Sequence, residues 1–166
     1  MELKPLVSIG MPLYNCEDRI EKVLKFFLSQ SYKNIEIIIS DNLSTDKTSK
    51  IIKNNFLQNH RIKFFQQKIN IGATRNFNFV LEKSNGKYFM WASYDDEWNS
   101  DYIKNGVEKL EKDEEIVTIT GVTKIYDKNE VLRIKYSEDY NLDGNKYERL
   151  KNFLKYNYGD HLIYGL

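Results

Sequence analysis

Residues 35–48 read Ile35-Glu36-Ile37-Ile38-Ile39-Ser40-Asp41-Asn42-Leu43-Ser44-Thr45-Asp46-Lys47-Thr48. Apart from Glu36, the opening run is β-branched and continuous, which predicts a central strand buried on both faces rather than one with a wet side. The polar stretch from Asp41 to Asp46 predicts a loop, and Ile51, Ile52 and Phe56 predict a helix behind it. A strand of that kind needs strands beside it and helices over both faces.

The flanking sequence supplies them. Upstream, Val7 to Met11 predicts a short strand ended by Pro12. Ile20, Val23, Leu24, Phe27 and Leu28 then recur at i, i+3, i+4, i+7 and i+8, the stripe of an amphipathic helix, with Asn15 as its N-cap and Asp18 three residues on. Downstream, Ile62 to Phe65 predicts a third strand. Ala73, Phe77, Val80 and Leu81 predict a helix stopped by Gly86. Tyr88 to Ala92 predicts another strand, and Ile103, Val107 and Leu110 a helix capped by Ser100. Ile116 to Gly121 is strand-like, and the Asp127-Lys128-Asn129 turn predicts a hairpin with Val131 to Ile134. With no repeat, low-complexity tract or linker, the pattern is one α/β unit with a mostly parallel sheet flanked by helices.

Composition narrows the function classes. A chain of 166 residues is a one-domain length. Lys+Arg number 25 against 24 Asp+Glu, so the net charge of +1 gives no global field for nucleic acid or anionic lipid. Cys16 stands alone, and with only His60 and His161 there is neither an intrachain disulfide nor a Cys/His zinc cluster. A lone thiol and the absence of a signal-length or membrane-length apolar run lead us to expect a cytoplasmic setting without a transmembrane segment.

In an open α/β sheet, ligands bind outside the carboxyl ends of the strands. Polar residues collect there after each predicted strand. Pro12, Tyr14, Asn15 and Glu17 follow the first; Asp41, Asn42, Ser44 and Asp46 the second; Asn70, Gly72 and Arg75 the third; Asp95 and Asp96 the next. Any one group alone reads more readily as a turn or a helix cap, but together they suit a nucleotide diphosphate. Adjacent carboxylates at Asp95-Asp96 repel each other, and Mg²⁺ or Mn²⁺ held by one or two carboxylates plus substrate phosphates relieves that repulsion. There is no G-x-G-x-x-G after the first strand, no G-x-x-x-x-G-K-[ST], no G-x-S-x-G and no H-E-x-x-H. Diphosphate binding therefore has to rest on metal and side chains rather than on a glycine-rich cradle.

These motifs, in this order, resemble the family 2 glycosyltransferases. The resemblance runs through Val7-Ser8-Ile9, Pro12-x-Tyr14-Asn15, Ile37 to Asp41 with Asn42-x-Ser44-x-Asp46-x-Thr48, Asn70-x-Gly72-x-x-Arg75-Asn76, Gly86-x-Tyr88 and Asp95-Asp96-x-Trp98. It covers roughly residues 5 to 125. It implies a GT-A fold, a Rossmann-like nucleotide-diphospho-sugar transferase sheet. The implied reaction takes a nucleotide-sugar donor, most naturally a UDP-sugar, and transfers the sugar with inversion to an acceptor hydroxyl on a carbohydrate or lipid-linked acceptor. By motif, Tyr14 stacks on the base, Asp41 hydrogen-bonds its edge, Arg75 supports the nucleotide pocket, Asp95 contacts the ribose and Asp96 ligates Mn²⁺ or Mg²⁺. Pro12, Asn15 and Glu17 line the nucleotide pocket. Core packing is an equal reading for Tyr14 and the stronger one for Trp98.

The pattern departs from the family at Ser93, where many relatives carry an acidic residue. The family's general base is an acidic residue beyond a strand that Leu162 to Leu166 resemble. Asp160 and His161 fall just before that point, readable as a substitute base or as an acceptor contact. The resulting expectation is a single GT-A domain over 1–166, with 5–121 as the donor-binding part and 122–166 as an incomplete acceptor side. Such a chain binds donor but transfers little, self-associates through Leu162, Ile163 and Leu166, and in its complete form sits peripherally at the inner membrane face. Two other readings compete: a non-catalytic nucleotide-binding module, and a nucleotidyltransferase. The latter is disfavoured because no glycine- and basic-rich phosphate loop follows the first strand.

Overall fold

The computed structural model describes residues 4–114, 116, 119, 123–127 and 130–135. The elements run β1 (Val7–Leu13), α1 (Ile20–Ser29), β2 (Ile35–Asp41), α2 (Thr48–Asn55), β3 (Ile62–Gln66), α3 (Ala73–Glu82), β4 (Tyr88–Trp91), α4 (Tyr102–Leu110), β5 (Thr123–Asp127) and β6 (Glu130–Lys135). Strands β1 to β4 form a parallel sheet in the order β3-β2-β1-β4. The chain winds outward from β1 to β3, then crosses back to place β4 on the other side of β1. The strand order therefore reverses between β1 and β4, which is where an open α/β sheet opens its ligand crevice.

Every residue of β2 is buried, as its β-branched run predicts. The exceptional side chain is Glu36, only 5% exposed. Its carboxylate accepts from the Ser8 hydroxyl (2.5 Å), Lys63 Nζ (2.6 Å) and the Asn85 N–H (2.8 Å). Ser8 lies opposite it in register, and its hydroxyl accepts from the Gly86 N–H at 2.8 Å. Burial pushes the Glu36 carboxyl up, but the bonds from Lys63, Ser8 and Asn85 outweigh it and hold the group below the usual glutamate range. A Cβ at Gly86 would stand 2.7 Å from the Ser8 backbone nitrogen and from the Tyr88 carbonyl, so the close approach demands glycine.

Pro12 does not end the first strand. It lies inside β1, paired with Ser40. Leu13 accepts from the Asn42 N–H on the β2 side, whereas Gly10 accepts from the Ala92 N–H on the β4 side. By that alternation the nitrogen of Pro12 faces the β4 side, where pairing has already stopped at Gly10–Trp91. A missing donor costs nothing there, and the crevice opens beside it.

The α1 stripe buries Ile20, Val23, Leu24 and Phe27, with Leu28 half-buried. The helix starts later than its expected cap: Arg19 occupies the N-cap position without a side-chain cap, and Asn15 sits in the preceding turn with φ 49°. Asp101 rather than Ser100 precedes α4, whose buried residues include Ile103, Val107 and Leu110. On α3 the buried side chains are Val80 and Asn76, while Ala73 and Leu81 are exposed. Asn76 takes an inward place because it donates to the Ser40 carbonyl (3.0 Å) and accepts from the Ser40 hydroxyl (2.5 Å). Of the strand-like run 116–121, Ile116 and Ile119 are described. They pack against the core and belong to no strand. The expected hairpin forms, with β5 and β6 antiparallel. Asp160, His161 and the apolar run after them lie outside the described residues.

Candidate functional site

The predicted loops meet at the carboxyl edge of the sheet, and side-chain-to-backbone hydrogen bonds lock the first three together. Asn15 adopts a left-handed conformation that its short amide tolerates. That geometry lets Asn15 Oδ1 accept from the Thr45 N–H (2.8 Å), while the Asn15 N–H donates to the Ser44 hydroxyl (2.9 Å). Glu17 returns the contact: its carboxylate accepts from the Lys47 N–H (2.7 Å), and its own N–H donates to Asp46 (3.0 Å). Asp46 also accepts from the Thr48 N–H at 2.9 Å, the Asx arrangement that starts α2. Burial pushes the Asp46 carboxyl up, but Thr48 through side chain and backbone, together with the Glu17 N–H, brings it below its ordinary range.

Between these contacts lies Cys16, fully buried, its N–H donating to the Thr48 hydroxyl at 2.8 Å. Burial pushes its thiol up to about 12; the Thr48 bond opposes this, and the carboxylates of Asp46, Asp41 and Asp18 reinforce it. The thiol is therefore a packing group rather than a nucleophile.

Asp41 ends β2 and is completely buried. One carboxylate oxygen accepts from the Ser44 N–H (3.0 Å) and the Ser44 hydroxyl; the other accepts from the Ser49 hydroxyl. The loop it holds carries Leu43 in the left-handed region (φ 64°) and 40% exposed, a conformation that costs a leucine roughly 1–2 kcal/mol. Asn42 joins the second loop to the third: its amide donates to Asn70 (3.0 Å) and accepts from the Ile71 N–H (2.8 Å). Gly72, at φ 80°, opens α3 with free space around its Cβ position, so its glycine is required by backbone conformation alone.

The residues left facing solvent are the informative ones. Tyr14 is 45% exposed, so it is not a core residue. Trp98, by contrast, packs on Phe27 with centroids 4.9 Å apart. Arg75 is exposed on the first turn of α3, and its guanidinium has no hydrogen bond or ion pair to the other described residues. Asp95 and Asp96 are both exposed after β4, and Asp95 accepts from the Ser93 hydroxyl. Pro12 is half-buried at the crevice. The structure thus gathers Pro12, Tyr14, Asn15, Glu17, Asp41, Arg75, Asp95 and Asp96 along one edge. It gives Asn15 and Glu17 a loop-locking task that their spacing did not announce. Sequence reading missed Thr45 and Ser49, because nothing in a hydroxyl's spacing marks which carboxylate or amide it will meet.

Among the described residues no group of three or more His, Cys, Asp or Glu is placed to hold a metal by itself. Two exposed adjacent carboxylates do fit a hard divalent cation whose remaining ligands come from a diphosphate and water.

The family model described as Glycosyl transferase family 2 matches residues 8–164. The chain belongs to that family. Over 106 residues it is 40% identical to the UDP-Glc:alpha-D-GlcNAc-diphosphoundecaprenol beta-1,3-glucosyltransferase WfaP of Escherichia coli, a match covering 64% of this chain and 41% of WfaP. The chain's match spans about two fifths of the length of WfaP and of two further curated relatives. Among solved structures, residues 1–349 of S. aureus TarS in complex with UDP-GlcNAc superpose with a TM-score of 0.60 at 23% identity, covering 70% of this chain and 32% of that one. The mannosyltransferase PcManGT of Pyrobaculum calidifontis, in complex with GDP-Man and Mn²⁺, gives 0.62 at 21% identity, covering 76% and 37%. The glycosyltransferase family 2 sheet is thus present in its GT-A form. Among the described residues no helix is long and apolar enough to cross a membrane.

Proposed function

We propose that this chain is the donor-binding part, with residues 122–166 opening the acceptor side, of an inverting glycosyltransferase. It takes a UDP-sugar and transfers the sugar to the hydroxyl of a lipid-linked or carbohydrate acceptor in the synthesis of a surface polysaccharide or glycoconjugate. The observation that carries the reading is the edge between β1 and β4. There an exposed aromatic ring (Tyr14), a guanidinium with no partner among the described residues (Arg75) and an exposed carboxylate pair (Asp95-Asp96) follow the carboxyl ends of β1, β3 and β4. Those groups match, in order, a base, a phosphate and a cation-bound diphosphate. WfaP's use of UDP-Glc and a diphosphoundecaprenol acceptor supports the donor and acceptor classes.

In this reading Tyr14 stacks on the base, and the loop locked by Asn15 and Glu17 keeps that ring in place. Asp41 meets the base edge once the Ser49 hydroxyl yields its place. Asp95 holds the ribose. Arg75 supports the nucleotide pocket, and its charge favours the phosphates. Asp96 would hold Mn²⁺ or Mg²⁺, which when bound offsets charge on the departing diphosphate. A carboxylate base takes the acceptor hydroxyl's proton as that oxygen attacks the anomeric carbon from the face opposite the leaving group; Asp160 is the candidate within this chain.

Calorimetry tests the reading. UDP should bind with Mn²⁺ or Mg²⁺ and much more weakly with chelator, and Asp96→Ala should abolish most of that difference. Equal UDP affinity with and without metal in the parent chain would overturn the metal assignment.

A further inference from the structure

The net charge of +1 hides an uneven distribution. Residues 47–81 contain seven Lys/Arg and no Asp or Glu, whereas residues 95–114 contain eight Asp/Glu and three Lys. The first run carries β3 and the second follows β4, the two edges of the parallel sheet. The molecule is therefore basic at one edge and acidic at the other.

At the basic edge the loops after β2 and β3 form one rim. The Asn42 amide ties them by its bonds to Asn70 and to the Ile71 N–H, and the Gln67 N–H donates to the Asp41 carbonyl (2.9 Å). Leu43 is 40% exposed on the first loop and Ile69 66% exposed on the second. Lys47, Lys50 and Lys53 lie at the start of α2 and along it, and Lys68 precedes Ile69. All four lysines are exposed, and none forms an ion pair with the described residues. Lys53 Nζ instead donates to Gln66 Oε1 at the end of β3 (2.7 Å), which holds α2 beside the same strand end. The carboxylates that flank the rim, Asp46 and Glu17, accept from backbone N–H groups.

Neither exposed aliphatic side chain belongs to the core. Leu43 keeps a left-handed conformation unfavourable to leucine, yet its side chain stays in water. Apolar tips among unpaired lysines suit a bilayer of anionic lipid: the tips enter the headgroup region, and the ammonium groups meet lipid phosphates while their stems cover apolar surface. Nucleic acid would be served better by stacking rings and Arg forks. The rim has four lysines instead, and Tyr14 stands on the loop after β1. The same anionic surface repels the acidic β4 edge, which fixes orientation. We propose that this rim, formed by Leu43, Lys47, Lys50, Lys53, Lys68 and Ile69, docks on an anionic bilayer. It lies at the carboxyl edge of the sheet, so docking brings the crevice to the membrane. That use, reaching a lipid-linked acceptor, rests on the glycosyltransferase reading; the docking itself does not.

The test sediments the full chain with vesicles of phosphatidylcholine alone or mixed with phosphatidylglycerol. The chain should bind the mixed vesicles and leave them at about 1 M salt, where the Debye length falls from about 8 to about 3 Å. A lysine near such a surface is worth about fivefold, so Lys50→Gln with Lys68→Gln should weaken binding about thirtyfold and flatten its salt dependence. Ile69→Ser should weaken binding and leave the salt dependence as it was. Thermal melts and UDP calorimetry on the variants should match the parent. No binding to mixed vesicles, equal binding to both vesicle types, or parent-like binding by the double variant overturns the docking face. Capture of a DNA oligonucleotide, or pairing of basic edge to acidic edge between copies, without vesicle binding also overturns it and assigns the rim to that partner. A parent chain that binds mixed vesicles but not UDP upholds the docking face and sinks the nucleotide reading.

Discussion

Replacing Asp41 separates two tasks assigned to one carboxylate: ordering the second loop and reading the base. Asp41→Ala strips the acceptor from the Ser44 N–H, the Ser44 hydroxyl and the Ser49 hydroxyl. Hydrogen bonds to a charged group are worth about 1.5–3 kcal/mol each. Counting Ser44 as one partner and Ser49 as another, the loss is roughly 3–6 kcal/mol, or about 6–24 °C in Tm for a chain of this size. Asp41→Asn should behave differently. Its amide oxygen keeps both Ser44 bonds, and its NH₂ donates to a Ser49 hydroxyl turned round to accept. The cost falls to about 1.5–3 kcal/mol, since neutral bonds are roughly half as strong as charged ones. A carboxylate accepts from the ring N–H of uracil but faces an acceptor in cytosine. With about 1–3 kcal/mol at stake, UDP should beat CDP by roughly tenfold or more in the parent chain. Asp41→Asn should compress that ratio, because an amide also donates. Thermal melts and calorimetry with UDP and CDP on both variants decide the matter. A folded Asp41→Asn chain with the parent's UDP-to-CDP ratio would refute base reading and leave Asp41 only as a loop pin. An Asp41→Ala chain as stable as the parent would refute the loop argument as well.

Further predictions follow from the buried groups. Gly86→Ala forces a methyl against the Ser8 backbone nitrogen and the Tyr88 carbonyl at 2.7 Å; overpacking of about 1–3 kcal/mol exceeds the entropy gained from removing a glycine, so the urea midpoint should fall. Glu36 is held below its ordinary value in the folded chain, so its contribution is complete above the unfolded glutamate pKa and is lost as pH drops through the depressed folded one. Acid titration of stability should show that loss below about pH 4.5, and Glu36→Gln should flatten this part of the curve while lowering stability at neutral pH. Cys16, its thiol raised to about 12 by burial, should resist a thiol reagent at pH 8 in the native chain and react promptly in denaturant; rapid native labelling would contradict its placement.

The parallel sheet was legible because β2 writes its environment into consecutive β-branched residues, and α1 and α4 write theirs at helical spacing. Pro12 misled the strand boundary, since the residue alone does not reveal that β4 stops short and leaves its nitrogen unopposed. Asn15 was misplaced for a related reason: an asparagine before a helix serves as a cap or as a left-handed turn residue, and only the position of Thr45 on a different loop decides which. The α3 stripe failed at Asn76, where a strand-end hydroxyl at Ser40 rewards an inward amide over an inward alanine. The site residues were recognisable as a set because chemistry at the strand ends recurs four times. Their division into rim and lock was not, because it depends on contacts between residues some thirty positions apart.

That division has a mechanical consequence for the site. The loops after β1, β2 and β3 are tied to one another through Asn15, Glu17, Asn42 and Asp46. The segment after β4 is tied instead to α1 through Glu97, Trp98, Asn99 and Ser100. The half of the crevice that carries Tyr14 and the half that carries Asp95 and Asp96 therefore stand on separate supports, joined through strands β1 and β4. Helix α1 connects both, since its entry turn carries Asn15 and Glu17 and its later turns hold the acidic segment. Weakening the first set of ties should loosen the base without moving Asp95 and Asp96. Loosening the α1 contacts should displace the carboxylate pair while Tyr14 stays aligned. On the proposed reading a nucleotide diphosphate would span the two halves, and the rigidity of α1 would set how well base and diphosphate are engaged together.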